Sequence, residues 1–289
     1  MATGRRASKE ITSSSAVAWA IARGVEREPG ARYVSDVLPW ISLVLISLGM
    51  GALFLDLEHR LYVWRMYLTL QPGSPMSWGG WILILVYPVL ALGALRSLPG
   101  DWLTRWPAIA RLAGSLREPA ATRTLSNASI LTGVALGIYT GILLSSLGAR
   151  PLWASAALGP LFLVSGLSTG AAFAHVIARN PVEQAALLRA DNAFLAVELL
   201  LIGLFLIGLA TASAVHANAA ALLLGGPYTA VFWVFVVGLG IVLPLAIQTL
   251  MASHRIPHTL VAPVLVMLGG LALRFVIVSA GQYSHWISP

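Results

Sequence analysis

The sequence predicts an all-α integral membrane protein with about seven transmembrane helices. Of its 289 residues, 58% are hydrophobic and only 10% are charged, whereas soluble domains carry about 25% charged residues. The mean hydropathy is +0.83. This composition excludes a soluble globular domain and a disordered chain, because so few charged residues cannot keep a chain of this length in water. A membrane bundle is the fold class that remains.

Seven apolar stretches are each long enough to cross about 30 Å of hydrocarbon at about 1.5 Å per residue. Their apolar character is continuous and lacks the two-residue alternation of a membrane β-barrel, so they are predicted to be helices. The predicted spans are Pro39–Leu57, Trp78–Leu95, Asn127–Leu147, Leu152–Ile177, Phe194–Val215, Tyr228–Leu250 and Leu260–Ala280.

The regions outside the spans divide the chain into three parts. Residues 1–37 are polar and predict a cytoplasmic N-terminal segment, residues 38–282 form the transmembrane domain, and residues 283–289 form a short C-terminal tail. Within the transmembrane domain, apolar residues recur at helical spacing in residues 101–117. This pattern predicts an amphipathic helix that lies in the headgroup region and serves as an anchor.

The positive charges are distributed unequally between the two sides of the predicted bundle. Fourteen of the 18 Lys and Arg residues fall in the N-terminal segment and in the second, fourth and sixth connections, and three fall on the other side. Because cytoplasmic loops are enriched in Lys and Arg, this asymmetry predicts a cytoplasmic N-terminus and a periplasmic C-terminus. It also accounts for the net charge of +7 without nucleic acid as a partner.

The cysteine and histidine content limits the metal chemistry of the protein. There is no Cys, which excludes iron–sulfur ligation and thiolate zinc sites on this chain. Membrane cytochromes hold haem through paired imidazoles, but the six His residues lie at or near the ends of the predicted spans. The sequence therefore predicts a haem-free bundle that holds no metal.

Two carboxylates mark the fifth predicted span. A charged side chain in hydrocarbon costs about 3 kcal/mol even on mild scales, so its presence needs a physical reason. Glu198 lies about 6 Å inside the predicted span, and Asp191 precedes it by two helical turns on nearly the same face. Together they predict a path by which protons enter from the cytoplasm. The alternative role for Asp191 is an N-cap at the start of the helix.

Other polar residues fall in the outer half of the predicted bundle. Arg274 lies within about 9 Å of the outer end of the last span, and Tyr139 lies about 12 Å below the outer end of the third. Asp56, His59 and Arg60 close the first span. Each has a structural alternative: Arg274 can extend to the outer headgroups, Tyr139 can be a packing residue with one hydrogen bond, and the loop residues can form salt bridges.

Several segments carry a family resemblance. They are Asp56–Met66, the following Ser74-Pro75-Met76-Ser77-Trp78-Gly79-Gly80-Trp81, Tyr139-Thr140-Gly141, Leu161–Gly170, and Leu273-Arg274-Phe275. From about Leu38 to Gln282 the sequence resembles the NrfD family of polysulfide-reductase membrane subunits (PsrC-like). Ser-Pro-Met-Ser-Trp-Gly is the most specific of these motifs.

The resemblance implies a membrane-anchor subunit of a respiratory complex in the bacterial inner membrane. Such a subunit holds a haem-free site for a quinone, either menaquinone or ubiquinone. An iron–sulfur electron-transfer subunit is expected to dock on its outer face, with a molybdopterin catalytic subunit behind it, as in formate dehydrogenase-like or polysulfide reductase-like complexes. The protein itself is then either quinone-reactive or non-catalytic.

The resemblance also implies roles for individual residues. Tyr139 is expected to donate a hydrogen bond to a quinone carbonyl, and the loop that contains Trp64 is expected to pack near the quinone and the iron–sulfur partner. Reducing a quinone takes two electrons and two protons; His59 is the expected proton carrier and Asp56 orients it. Arg274 is expected to stabilise the reduced, anionic quinone. The residues expected to contact the partner subunit are Arg60, Arg65 and Met76.

Two features depart from the family pattern. The loop reads Asp-Leu-Glu-His-Arg where members often have Gly and Pro. The family usually has a helix before the first predicted span, whereas residues 1–37 contain no candidate span. Either that helix is absent, or a partner supplies it, or the quinone site is degenerate.

Two other functions stay open. One is a structural anchor without a quinone site. The other is a small transporter that uses Glu198 and Arg274, with helix breaks at Pro244 and Pro263.

Overall fold

The computed structural model describes residues 33–56, 62–68, 71, 73–98, 106–146, 148, 150–179, 181–252 and 259–286. The regular structure in these ranges is helical, and they contain no strand. The helices are Tyr33–Asp56 (α1), Val63–Leu68 (α2), Pro75–Arg96 (α3), Pro107–Leu116 (α4), Pro119–Ser146 (α5), Leu158–Ile177 (α6), Pro181–Ala212 (α7), Ala214–Leu224 (α8), the π-helix Val231–Val242, Leu243–Ala252 (α9) and Val261–Tyr283 (α10).

Within the described ranges, seven helical segments are long and apolar enough to cross a membrane, which confirms the predicted fold class. They are α1, α3, α5, α6, α7, the π-helix together with α9, and α10. We name the two ends of the bundle by the helix termini that they hold. The near side holds the start of α1 and the end of α3, and the far side holds the end of α1, α2 and the start of α3.

Two spanning helices begin eight or more residues earlier than hydropathy predicts. α5 begins at Pro119 rather than Asn127, and α7 begins at Pro181 rather than Phe194. Proline is favoured in the first helical turn, where its missing N–H would have no partner. α7 has 32 residues and is about 48 Å long, which exceeds the hydrocarbon thickness. The apolar run therefore marks the membrane crossing, while the helix extends beyond it on the near side.

The C-terminal half of the sequence contains the continuous hydrophobic core. Helices α6, α7 and α10 and the π-helix pack around it, and Leu161, Phe205, Phe232, Leu273 and Ile277 are among its fully buried side chains. From α6 outward, α5, α3 and α1 follow one another. The apolar stretch of α1 buries none of its residues, and that of α5 buries few. Apolar surface of this extent suits lipid or a partner rather than water.

Glycines permit the closest helix crossings. A β-carbon at Gly141 on α5 would overlap the backbone of Gly159 on α6, and a β-carbon at Gly240 in the π-helix would overlap Gly269 on α10. Small residues at such crossings let two backbones approach closely, which is the usual way for membrane helices to associate.

The sixth span is continuous although it contains Pro244. The N–H of Leu243 donates to the carbonyl of Gly238, five residues earlier, and Pro244 follows directly with no N–H to donate. The helical backbone continues past this proline into Leu243–Ala252, directly after the π-helix ends at Val242. Pro263 lies in the first turn of α10. The breaks that the transporter alternative requires at these prolines are therefore not present.

The predicted amphipathic helix is present as α4, although residues 101–105 lie outside the described part of the chain. Ala113 is buried and two larger apolar side chains are exposed. Next to α4, Arg117 donates from Nε to the carbonyl of Arg96 at 3.0 Å and from Nη2 to that of Leu98 at 2.7 Å. These bonds satisfy carbonyls at the end of α3. The location of α4 in the headgroup region stays a prediction.

Candidate functional site

Tyr139 lies against the far-side start of α3. A β-carbon at Gly79 would overlap the phenol ring of Tyr139, so the ring occupies the space that a side chain would take. By helix rise, Gly79 is about 6 Å from the start of α3 and Tyr139 about 10 Å from the end of α5. The structure thus brings together two motifs on which the family resemblance rests, Ser-Pro-Met-Ser-Trp-Gly and Tyr-Thr-Gly.

The hydroxyl of Tyr139 is available to a ligand. The side chain is half-buried, and its hydroxyl makes no hydrogen bond to any residue that the structure describes. The neighbouring Thr140 donates instead to the carbonyl of Gly137 at 2.9 Å. The alternative of a packing tyrosine satisfied by one hydrogen bond within the bundle is therefore not supported by the described residues. A phenol at this position can donate to a carbonyl oxygen.

The far side above this tyrosine exposes large side chains. Trp64 on α2 is 52% exposed, and Met76 and Trp78 at the start of α3 are 55% and 47% exposed. Helix α2 packs on α3, so these residues belong to one surface, which we call the far-side aromatic surface (Tyr62, Trp64, Leu68, Met76 and Trp78). Aromatic and Met side chains of this kind are enriched at protein–protein interfaces.

The other residues predicted for the far side are only partly described. Asp56 is the last residue of α1 and Arg65 lies within α2. His59 and Arg60 lie outside the described residues. The predicted roles of these four residues stay predictions.

Asp191 is buried and doubly hydrogen-bonded. The hydroxyl of Ser168 on α6 donates to its Oδ1 at 2.6 Å, and Nε2 of Gln248 on α9 donates to its Oδ2 at 2.6 Å. Asp191 is 2% exposed, and both partners are fully buried. Because α7 begins at Pro181, Asp191 lies in the interior of the helix, and the alternative of an N-cap is wrong.

Glu198 and Arg274 share Ser165 as a partner. The carboxyl group of buried Glu198 lies close enough to Ser165 and to the charge of Arg274 to interact with both. Nη1 of Arg274 lies 3.4 Å from the Ser165 hydroxyl and donates to the carbonyl of Gly270 at 2.8 Å. The guanidinium also lies 5.8 Å from the ring centroid of Phe162. Arg274 therefore points into the bundle, which excludes the alternative of a side chain that extends to the headgroups.

These contacts form one buried polar cluster at the meeting of four helices. Its members are Ser165 and Ser168 on α6, Asp191 and Glu198 on α7, Gln248 on α9 and Arg274 on α10. By helix rise, Asp191 is about 15 Å and Glu198 about 25 Å from the start of α7. The cluster therefore crosses the middle of the bundle.

Tyr139 and Arg274 were predicted to meet at one quinone site, but no contact among the described residues joins them. The glycines on either side of Tyr139 lie against Leu163 and Gly159, whereas Arg274 reaches the carbonyl of Phe162. The structure thus joins Arg274 to the predicted proton path and leaves Tyr139 with α3 and α5.

Sequence reasoning missed Gln248 and both serines as functional candidates. Ser165 and Ser168 belong to the segment Leu161–Gly170, which contributes only to the family resemblance. The sequence analysis assigns no role to Gln248. A signal did exist, since a carboxamide inside an apolar span is costly unless it is paired. Among the described residues, no group of three or more His, Asp or Glu side chains is placed to hold a metal ion.

Comparison with known proteins gives consistent matches. Residues 11–284 match the family described as "Polysulphide reductase, NrfD". The sequence is 32% identical to Protein NrfD of Escherichia coli strain K12 over 82% of its own length and 79% of that protein. It is 28% identical to a polysulfide reductase chain of Wolinella succinogenes, over 84% and 80% of the two proteins. It is 35% identical to a tetrathionate reductase subunit of Salmonella typhimurium, over 45% and 34%.

Proposed function

Because the protein belongs to the polysulphide reductase NrfD family, we propose that it is the membrane-anchor, quinone-interacting subunit of a respiratory molybdoenzyme-type oxidoreductase complex. It exchanges electrons between an iron–sulfur subunit and the quinone pool of the bacterial inner membrane. Two relatives are named as parts of larger enzymes, one of a polysulfide reductase and the other of a tetrathionate reductase. These names support a place in a multi-subunit reductase.

The observation that carries the proposal is the half-buried Tyr139 hydroxyl beside Gly79. Helices α1, α3 and α5 expose their apolar surfaces, so a lipid-soluble carrier reaches this hydroxyl from the membrane without entering the core. Bound there, a quinone takes up two electrons and two protons. Tyr139 donates a hydrogen bond to a quinone carbonyl and favours negative charge on that oxygen. His59 and Asp56, in the adjoining loop, supply and orient a proton.

The far-side aromatic surface is the docking site for the iron–sulfur subunit in this proposal. Trp64 and Met76 provide exposed contact area close to the helix start that carries Gly79. Arg60 and Arg65 add positive charge to the same segment. Electrons then enter within a short distance of Tyr139, and a molybdopterin subunit behind the iron–sulfur subunit completes the series of carriers.

The near side faces the cytoplasm in this proposal, and the far side faces the periplasm. The supporting observation is the concentration of Lys and Arg in the N-terminal segment and near-side connections. Asp191 and Glu198 then mark the path by which protons enter from the cytoplasmic side. Among the described residues, both carboxyl groups belong to the buried polar cluster, which crosses the middle of the bundle.

The substitution Tyr139→Phe tests the quinone site. We expect quinone-linked turnover of the purified complex to fall at least tenfold, which corresponds to about 1.4 kcal/mol of lost stabilisation. The matched control is Tyr87→Phe on α3, whose hydroxyl lies 3.4 Å from that of Ser47, and it should keep normal turnover. Subunit co-purification and substrate-dependent dye reduction should be unchanged in both variants. Normal turnover in Tyr139→Phe would contradict the site and leave a structural anchor as the function.

A further inference from the structure

The buried polar cluster contains an unbalanced set of charges. It holds two carboxyl groups, Asp191 and Glu198, and one guanidinium, Arg274. With all three ionised the cluster would carry one uncompensated negative charge in the core, which is strongly unfavourable. The packed helices carry further ionisable groups: buried His175 near the end of α6, and Glu183 and Arg189 on α7 before Asp191. Among described residues, the π-helix and α9 contribute none.

The two carboxyl groups differ in their partners. Glu198 lies within electrostatic range of Arg274, whose guanidinium also reaches the hydroxyl of Ser165, so a positive charge lies close to Glu198. Asp191 has only neutral donors, Ser168 and Gln248. A neutral cluster therefore results when one proton resides on Asp191, while Glu198 stays paired with the guanidinium.

Gln248 has the groups to pair with Asp191 in either protonation state. Its Nε2 donates to Asp191, whereas its Oε1 is buried and has no hydrogen-bond partner among the described residues. A buried acceptor without a donor is unfavourable. A protonated carboxyl supplies that missing donor after the amide rotates. The amide thus donates to the carboxylate and accepts from the carboxylic acid.

The backbone around Gln248 is also unusual. Gln248 follows the π-helix Val231–Val242, and π-helical turns occur frequently at functional sites. Changing the number of residues per turn rotates every residue that follows about the helix axis, by about 100° for each residue gained or lost. The π-helix therefore decides whether the amide faces Asp191.

We propose that Asp191 is the exchangeable member of a single buried proton station that holds one proton, that Glu198 and Arg274 form its fixed pair, and that Gln248 is the positioning residue that pairs with both states of Asp191. The inference rests on the proposed function and assigns separate tasks within its proton path. Binding and release of the proton involve no covalent change elsewhere: the proton adds to an oxygen of Asp191 and leaves from it.

Infrared difference spectroscopy of the purified complex, with H₂O to D₂O exchange, tests the station. A protonated buried carboxyl gives a separate carbonyl stretch. We expect one such band that is lost in Asp191→Asn and retained in Glu198→Gln. In Gln248→Met the band should move, because the acid loses its amide partner, and in Gln248→Asn it should return toward the wild-type position. The matched control is Gln184→Met, since that amide donates to the carbonyl of Ala178 and not to a carboxylate.

Each alternative outcome is distinguishable. A band that survives Asp191→Asn, or that does not move in Gln248→Met, would overturn the assignment. A band that disappears on addition of Na⁺ would identify a metal cation as the occupant and would also overturn it. The variant Tyr139→Phe separates this inference from the proposed function, because it should impair quinone-linked turnover and leave the band unchanged. Normal turnover in that variant with an intact band would remove the quinone site and leave the proton station.

Discussion

At the scale of single residues, the position of Tyr139 depends on the absence of a side chain at position 79. The phenol ring lies where a β-carbon of residue 79 would be. A glycine in a helix interior is unfavourable by about 1 kcal/mol relative to alanine, so packing against the tyrosine provides a reason for its presence. The ring is then held at the far-side end of α3, beside the exposed Trp78 and Met76.

Replacing Gly79 with alanine should displace the Tyr139 ring. We expect quinone-linked turnover to fall and the apparent KM for quinone to rise, because the hydroxyl moves relative to the bound carbonyl. Steady-state kinetics of the purified complex measure both. The control Gly133→Ala lies on the same helix as Tyr139 with nothing within 4 Å of its added carbon, and it should behave as wild type. Equal kinetics in Gly79→Ala and Gly133→Ala would contradict the packing argument.

The sequence predicts some of the residues at the two sites and not others, for physical reasons. Asp191 and Glu198 were identifiable because charge inside an apolar run is rare and costly. The partner of Arg274 could not be identified from the sequence. The depth of a residue along a span does not determine which face of which helix its side chain meets. The N-cap alternative for Asp191 failed since hydropathy placed the helix start at Phe194, whereas Pro181 starts it.

At the scale of helices, glycine pairs set how closely neighbours cross. Gly240 and Gly269 bring the π-helix and α10 together, and Arg274 lies just over one turn beyond Gly269 on α10. The crossing therefore fixes the positions from which Gln248 and Arg274 enter the cluster. Apolar runs predicted all seven spans, but they could not predict a π-helix, because hydropathy does not distinguish i→i−5 from i→i−4 backbone bonding.

Replacing Gly269 with alanine should destabilise the bundle. The added carbon would overlap the backbone of Gly240, and overpacking of this kind typically costs about 1–3 kcal/mol. We expect a lower thermal unfolding temperature for the full-length protein in detergent. Gly208→Ala on α7 has nothing within 4 Å of its added carbon and should unfold no earlier than wild type. A Gly269→Ala protein as stable as Gly208→Ala would show that the crossing is not close.

At the scale of the whole molecule, the two candidate sites lie in different halves that share α6. Tyr139 belongs to the open half of α1, α3 and α5, whose apolar surfaces are exposed. The proton station belongs to the compact half of α6, α7, α9 and α10, which contains the core. Quinone access and proton storage therefore have separate surroundings, and α6 is the element that contacts both.

Photolabelling of the intact complex with a photoreactive quinone analogue tests the central claim most directly. The account predicts label on peptides from α3 and α5 around Gly79 and Tyr139, lost when excess natural quinone competes. Label that resists competition, or that falls instead on α7 and α10 around Glu198 and Arg274, would contradict a quinone site at Tyr139.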